Sequence, residues 1–231
     1  MNQQTFVLVH GALTDASVWR RVSARLQDAG HTVIAPSLPM RDFDGDVAYL
    51  KQFLATLTGP LVVAAHSYAG SVISAPGALT ENVRSLVFVT AFQQDAGETA
   101  GALNGKFPGS LLIPDNLVVR ESPGGSEIYL RPDKFGEVYA GDAGPRDVKI
   151  LAAAQKPFSP VTLEGSFANA ASWHGLPSWA VVSTRDSSIP AEAQRWMAER
   201  AGSTVVEVDS THAVPLVRPD VVAETILSAA G

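Results

Sequence analysis

Short apolar runs that lack internal alternation recur along this chain, and a stretch of helical period follows most of them. "TFVLVHG", "HTVIAPS", "PLVVAAHS", "VRSLVFVTAF", "SWAVVSTRD" and "TVVEVDSTH" are the six runs. "LVVAA" and "LVFV" are apolar at every position, the pattern of a strand covered on both faces. Between the runs lie "DASVWRRVSARLQDAG", with Val18, Val22 and Leu26 on one helical face, and "DGDVAYLKQFLATLTG", with Val47, Leu50, Leu54 and Leu57 at similar spacing. Further helices are expected from about Tyr68, in "AEAQRWMAERAG" and within "RPDVVAETILSAA". Strands interleaved with helices specify βαβ units. The fold class is therefore α/β: a mainly parallel six-stranded sheet with helices on both faces.

The rhythm breaks between residues 93 and 178, which are rich in Gly, Pro and Ser. "PDKFGEVYAGD" and "PRDVKILAAAQK" still carry a helical pattern. A structureless loop of that length is improbable in a compact domain. The segment 93–178 is read as a small helical cap inserted into a core of residues 1–92 and 179–231, all within one domain.

In open parallel sheets ligands bind beyond the carboxyl ends of the strands, so the residues at those ends carry the functional question. The third run ends in Ala65-His66-Ser67-Tyr68-Ala69-Gly70. It is either an ordinary strand-to-helix turn or a turn that presents a nucleophile. A serine on such a turn needs small residues two positions before and after it, because strand and helix approach closely; Ala65 and Ala69 hold those places, where glycine is usual. The fifth run ends at Asp186 and the sixth at His212, so that Ser67, Asp186 and His212 follow three separate strands in the chain order of a nucleophile, an acid and a base. Ser67 would attack, His212 would take its proton, and Asp186 would orient His212. Asp95, Glu98 and Asp209 are rival acids with poorer positions in that order. Acyl transfer also needs two backbone N–H groups for the oxyanion. Tyr68, next to the nucleophile, and Ala12, in "HGALTDASVW", are the candidates, with Gly11 permitting close approach.

Composition narrows the alternatives. The chain has 231 residues, 46% hydrophobic and 17% charged, with net charge -6. That balance gives no basic face for nucleic acid. With no cysteine there is no disulfide, thiol nucleophile or cysteine-ligated metal. No apolar run reaches the roughly 18 residues of a membrane helix, and "MNQQTFVLVHG" lacks a basic n-region. A cytoplasmic protein is expected, with a small-molecule substrate, no nucleic-acid or membrane partner, and a monomeric or homodimeric state. His10, His31, His66 and His174 fit no zinc spacing, so no metal and no cofactor are expected. His10 and His66 read as packing or hydrogen-bonding groups, and Trp19 as core. Tyr129, Phe135, Tyr139 and Phe158 are candidates to line an apolar pocket, along with Leu13 and Phe92.

"HGALTDASVW", "GHTVIAPSLP", "AHSYAG" and "STRDSSIP…STHAVPLVRPD" together resemble the α/β-hydrolase superfamily. Within it the chain is similar to a branch of small bacterial esterase-like hydrolases, laid out like plant hydroxynitrile lyases and methyl-ester esterases. The resemblance implies a fold lacking the first two strands of the family, Ser67 as nucleophile, Asp186 as acid, His212 as base, and Ala12 and Tyr68 as oxyanion donors. It implies cleavage of a small or medium carboxylic ester through an acyl-enzyme. Two departures stand out: the alanines flanking the nucleophile, and Pro76 inside the expected helix, where it would kink or end it. A lyase or cyclase on the same fold, or a non-enzymatic receptor, are the alternatives. Related lyases tend to carry a bulkier hydroxyl residue in place of Gly11 and a lysine near the site. Lys106, Lys134, Lys149 and Lys156 have no assignable place from sequence.

Overall fold

The computed structural model describes residues 3–231. Strand β1 (Thr5–Val9) is followed by α1 (Arg20–Asp28), β2 (Thr32–Ile34), α2 (Phe43–Leu54), β3 (Leu61–His66), α3 (Ala69–Ser74) and β4 (Val83–Val89). Next come α4 (Ala100–Asn104), β5 (Leu117–Ser122), β6 (Gly125–Leu130), α5 (Phe135–Val138) and α6 (Pro145–Ala153). The chain closes with β7 (Ser178–Ser183), α7 (Ala191–Arg200), β8 (Thr204–Val208), α8 (Val214–Val217) and α9 (Pro219–Ser228). The six apolar runs pair in the order β2-β1-β3-β4-β7-β8, every neighbour parallel. β3 is buried at all of its positions, as its unbroken apolar sequence demands.

Local sequence sets the element ends. Asp42 caps α2 by accepting from the Gly45 N–H at 2.6 Å. Gly30, at φ 88°, closes the turn after α1. α3 ends at Ser74, and Ala75 is already extended at ψ 133°, so Pro76 stops the helix rather than kinking it.

The segment between β4 and β7 holds short helices, as expected, but also an antiparallel hairpin. β5 pairs with β6 from Leu117↔Leu130 to Ser122↔Gly125. "VVRESPGGSEIY" carries the signal for it: two β-rich runs around Pro-Gly-Gly. Reading this region for helical period alone misses the hairpin. Within "PDKFGEVYAGD" only Phe135–Val138 is helical.

Register fixes where the polar strand ends meet. His66 lies beside Val89, Val89 beside Val181, and Ser183 beside Val208. The residues that follow β3, β4, β7 and β8 therefore emerge along one edge of the sheet. The tightest approach there is at Gly70. A Cβ on Gly70 would lie 2.1 Å from the Phe92 carbonyl oxygen and 2.9 Å from the Ala91 Cβ. Gly70→Ala is expected to destabilise the fold by about 3 kcal/mol. Urea unfolding with an unchanged slope and a lowered midpoint is the check; an unmoved midpoint would refute the close approach.

Candidate active site

Ser67 sits at the end of β3 with φ 57°, a left-handed conformation that a non-glycine residue adopts at a cost of about 1–3 kcal/mol. The surrounding backbone holds it there. The Ser67 N–H donates to the Val89 carbonyl at 3.3 Å, and the Ser67 carbonyl accepts from Gly70 N–H at 3.0 Å and Phe92 N–H at 3.2 Å. Ala65 and Ala69 are fully buried, and their methyl groups are accommodated. Within this turn it is Gly70 that admits no Cβ, one residue beyond the place where sequence reasoning looks for it.

The three residues that follow separate strands come together. Ser67 Oγ is 2.9 Å from His212 Nε2, and His212 Nδ1 is 2.7 Å from Asp186 Oδ2. With Nδ1 donating to the carboxylate, Nε2 is left as the acceptor for the serine hydroxyl. All three residues are buried. Among the described residues no Lys or Arg bonds to Asp186; dipoles surround it instead. Its Oδ1 accepts from Ser188 N–H at 2.7 Å and Ile189 N–H at 3.0 Å. Its Oδ2 accepts from Gln194 Nε2 at 2.8 Å and faces the Thr90 hydroxyl at 3.0 Å. Thr90 and Gln194 are supports that sequence reasoning did not single out; they lie 96 and 8 residues from Asp186, and no local pattern links them. The rival acids are engaged elsewhere: Asp95 with His174 at 3.1 Å, Glu98 with Arg200 at 2.5 Å, and Asp209 with Arg185.

The other histidines divide by partner. His66 is fully buried; its Nε2 donates to the His212 carbonyl at 2.9 Å, and its Nδ1 has no partner among the described residues. Burial and the neighbouring His212 hold its pKa well below the usual imidazole range. It acts as a neutral brace on the His212 backbone. His10 accepts the Leu38 N–H on Nε2 at 3.1 Å, which fixes the proton on Nδ1; that nitrogen donates to the Gly11 carbonyl at 2.8 Å. Burial lowers the His10 pKa to about 4. His31 accepts from Gln4 N–H at 3.3 Å, and His174 meets Asp95. Among the described residues no group of three His, Asp or Glu is arranged to hold a metal ion.

A cavity of about 200 Å³ opens beside Ser67 and His212. Leu13, Phe92 and Tyr139 line it, as expected, and so do Phe158, Leu117 and Ile128. Tyr129 and Phe135 do not line it. Phe135 is fully buried behind Tyr139, ring centroids 5.1 Å apart, while the Tyr129 hydroxyl donates to Glu127 at 3.1 Å with Arg120 over its ring. Among the described residues no Asp, Glu, Lys or Arg lines the cavity. Lys106 lies over Trp196, Lys134 pairs with Glu137, Lys149 is exposed, and Lys156 donates to Ser37 and to the Leu38 carbonyl. Ala12 and Tyr68 both line it, and among the described residues no protein acceptor takes the backbone N–H of either. A Cβ on Gly11 would lie 2.5 Å from the Ser67 Cβ, so only glycine fits against the serine there.

A family model described as "Alpha/beta hydrolase family" matches residues 6–225. The chain belongs to the alpha/beta hydrolase family. This alpha/beta hydrolase is 28% identical over 247 residues to esterase PIR7B of Oryza sativa subsp. japonica, covering 94% of this chain and 92% of that protein. It is 24% identical over 246 residues to the alpha-hydroxynitrile lyase of Arabidopsis thaliana, covering 93% and 92% respectively. The crystal structure of polyneuridine aldehyde esterase superposes with a TM-score of 0.85 at 22% identity, covering 100% of both chains.

The burial of His10 is expected to make the fold acid-sensitive. Its folded pKa lies near 4, against 6.5 for the free group. The stability it contributes is complete above pH 6.5 and is lost as pH falls toward 4, a loss of roughly 3 kcal/mol. His10→Gln should therefore lose stability less steeply than the parent between pH 6.5 and 4. A urea-unfolding series across that range checks it; equal slopes would mean that His10 is not held neutral.

Proposed function

We propose that the chain is a serine hydrolase that cleaves a small or medium carboxylic ester with an uncharged, apolar acyl group, through an acyl-enzyme on Ser67. The observation that carries this reading is the continuous relay from Ser67 Oγ through His212 to Asp186, opening on an apolar cavity. His212 Nε2 takes the Ser67 proton as Oγ attacks the ester carbonyl. The negative oxygen of the tetrahedral intermediate is met by the N–H groups of Ala12 and Tyr68. His212 then gives its proton to the departing alcohol, and water repeats the sequence in reverse roles to release the acid. Asp186 stays ionised and steadies the imidazolium. No cofactor is needed for these steps.

The cavity argues for the substrate class. Its volume of about 200 Å³ falls below the roughly 300–1,000 Å³ of sites for drug-sized ligands. It offers no charged side chain to a carboxylate or an amine on the acyl part. The segment 93–178 serves as the cap, supplying Leu117, Ile128 and Phe158 to the cavity wall. Against the lyase alternative, position 11 has no side-chain hydroxyl and none of the four lysines named above reaches the cavity.

A panel of p-nitrophenyl and methyl esters, run beside Ser67→Ala, tests the reading. Turnover is expected for short and medium apolar acyl groups, with a loss of at least about 10⁴-fold in the variant. A fluorophosphonate should label the parent at Ser67 and leave the variant unlabelled. Equal turnover in Ser67→Ala would sink the mechanism. Cyanide release from mandelonitrile with no ester hydrolysis would establish the lyase instead.

A further inference from the structure

Tyr68 is the residue after the nucleophile, and its side chain is used by nothing described so far. The phenol is buried and donates to Asp46 Oδ2 at 2.9 Å. Asp46 lies in the first turn of α2 and is fully buried. Its Oδ1 accepts the Met40 N–H at 2.8 Å. Met40 holds φ 64°, and its carbonyl accepts the Ser159 N–H at 2.9 Å. Two residues earlier, Leu38 N–H donates to His10, which donates in turn to the Gly11 carbonyl. That carbonyl belongs to the peptide unit that carries the Ala12 N–H. Both oxyanion amides are thus tied by side chains to the same loop, residues 37–40: one through His10, the other through Asp46 and the Tyr68 phenol.

Asp46 is costly to keep. Burial pushes its carboxyl up to about 6, against the hydrogen bonds from Met40 and Tyr68 and the attraction of Lys156, all of which lower it. At pH 8 the fold carries a buried carboxylate that it would hold more readily as a neutral group. The ionised form is thus the costlier one to bury, and it is this carboxylate that ties the residue after Ser67 to loop 37–40.

We propose that Asp46 is a positioning residue that sets the gap between the two oxyanion amides by fixing the Tyr68 phenol to loop 37–40; the proposal rests on the hydrolase reading above. Asp46→Asn keeps the shape of the side chain and removes its charge. Tyr68→Phe keeps the ring and removes the donor.

The test compares both variants and the double variant with the parent at pH 8, on the best ester of the panel and on a fluorophosphonate. Asp46→Asn is expected to melt at the parent temperature or above it, while kcat falls roughly tenfold and KM stays within about twofold. Tyr68→Phe should lose a similar factor, and the double variant should lose no more than the larger single loss. The second-order rate of labelling should fall in step with kcat. An Asp46→Asn kcat within about twofold of the parent, a loss that tracks the unfolded fraction, or additive losses in the double variant would each overturn the proposal. Labelling of the parent without ester turnover would retire the ester reading alone, and the labelling rates of the variants would then decide the role of Asp46. A parent that neither labels nor turns over would overturn both.

Discussion

The Phe92 carbonyl lies so close over Gly70 that no Cβ fits between them, and the site depends on that contact. It lets the chain leaving β4 run across the turn that follows β3. Once there, Phe92 N–H donates to the Ser67 carbonyl and helps keep the serine in its left-handed conformation. Two residues earlier, Thr90 places its hydroxyl 3.0 Å from Asp186. The side chain of Phe92 lines the cavity. One short segment beyond β4 therefore braces Ser67, supports Asp186 and shapes the cavity. Any shift that moved it would be felt at all three.

Asp186 shows how a buried carboxylate is kept in place without a cation. Two backbone N–H groups and the Gln194 amide reach its oxygens, and Gln194 is itself fixed by donating to the Ile189 carbonyl and accepting from Ser183 N–H. Fixed dipoles in a water-poor site hold charge without the entropy of ordering a long basic side chain. The Arg195–Glu207 pair, half-exposed on the surface, is worth little by comparison.

The sheet and the meeting of Ser67, His212 and Asp186 were legible because they leave a one-dimensional trace. Six apolar runs became six parallel strands, and Ser67, Asp186 and His212 were found by asking which polar groups end them. What escaped has no such trace. Thr90 and Gln194 matter only through the third dimension. Phe135 and Tyr139 lie four residues apart, and packing alone decides that Tyr139 faces the cavity while Phe135 stands behind it. The hairpin was written in the sequence as Pro-Gly-Gly between two β-rich runs, and was masked by the helical stretches that follow it.

Ser159 and Lys156 both reach from the far end of the segment between β4 and β7 to loop 37–40, which carries hydrogen bonds to Asp46 and His10. The segment that lines the cavity and the loop that braces Gly11 and Tyr68 are therefore mechanically joined in this protein. Transplanting that segment from a relative would also re-tension the loop behind the Ala12 and Tyr68 amides. The segment behaves less like an exchangeable lid than like a keystone: Lys156 and Ser159 foot it on the same loop that His10 and Asp46 hold from the core side.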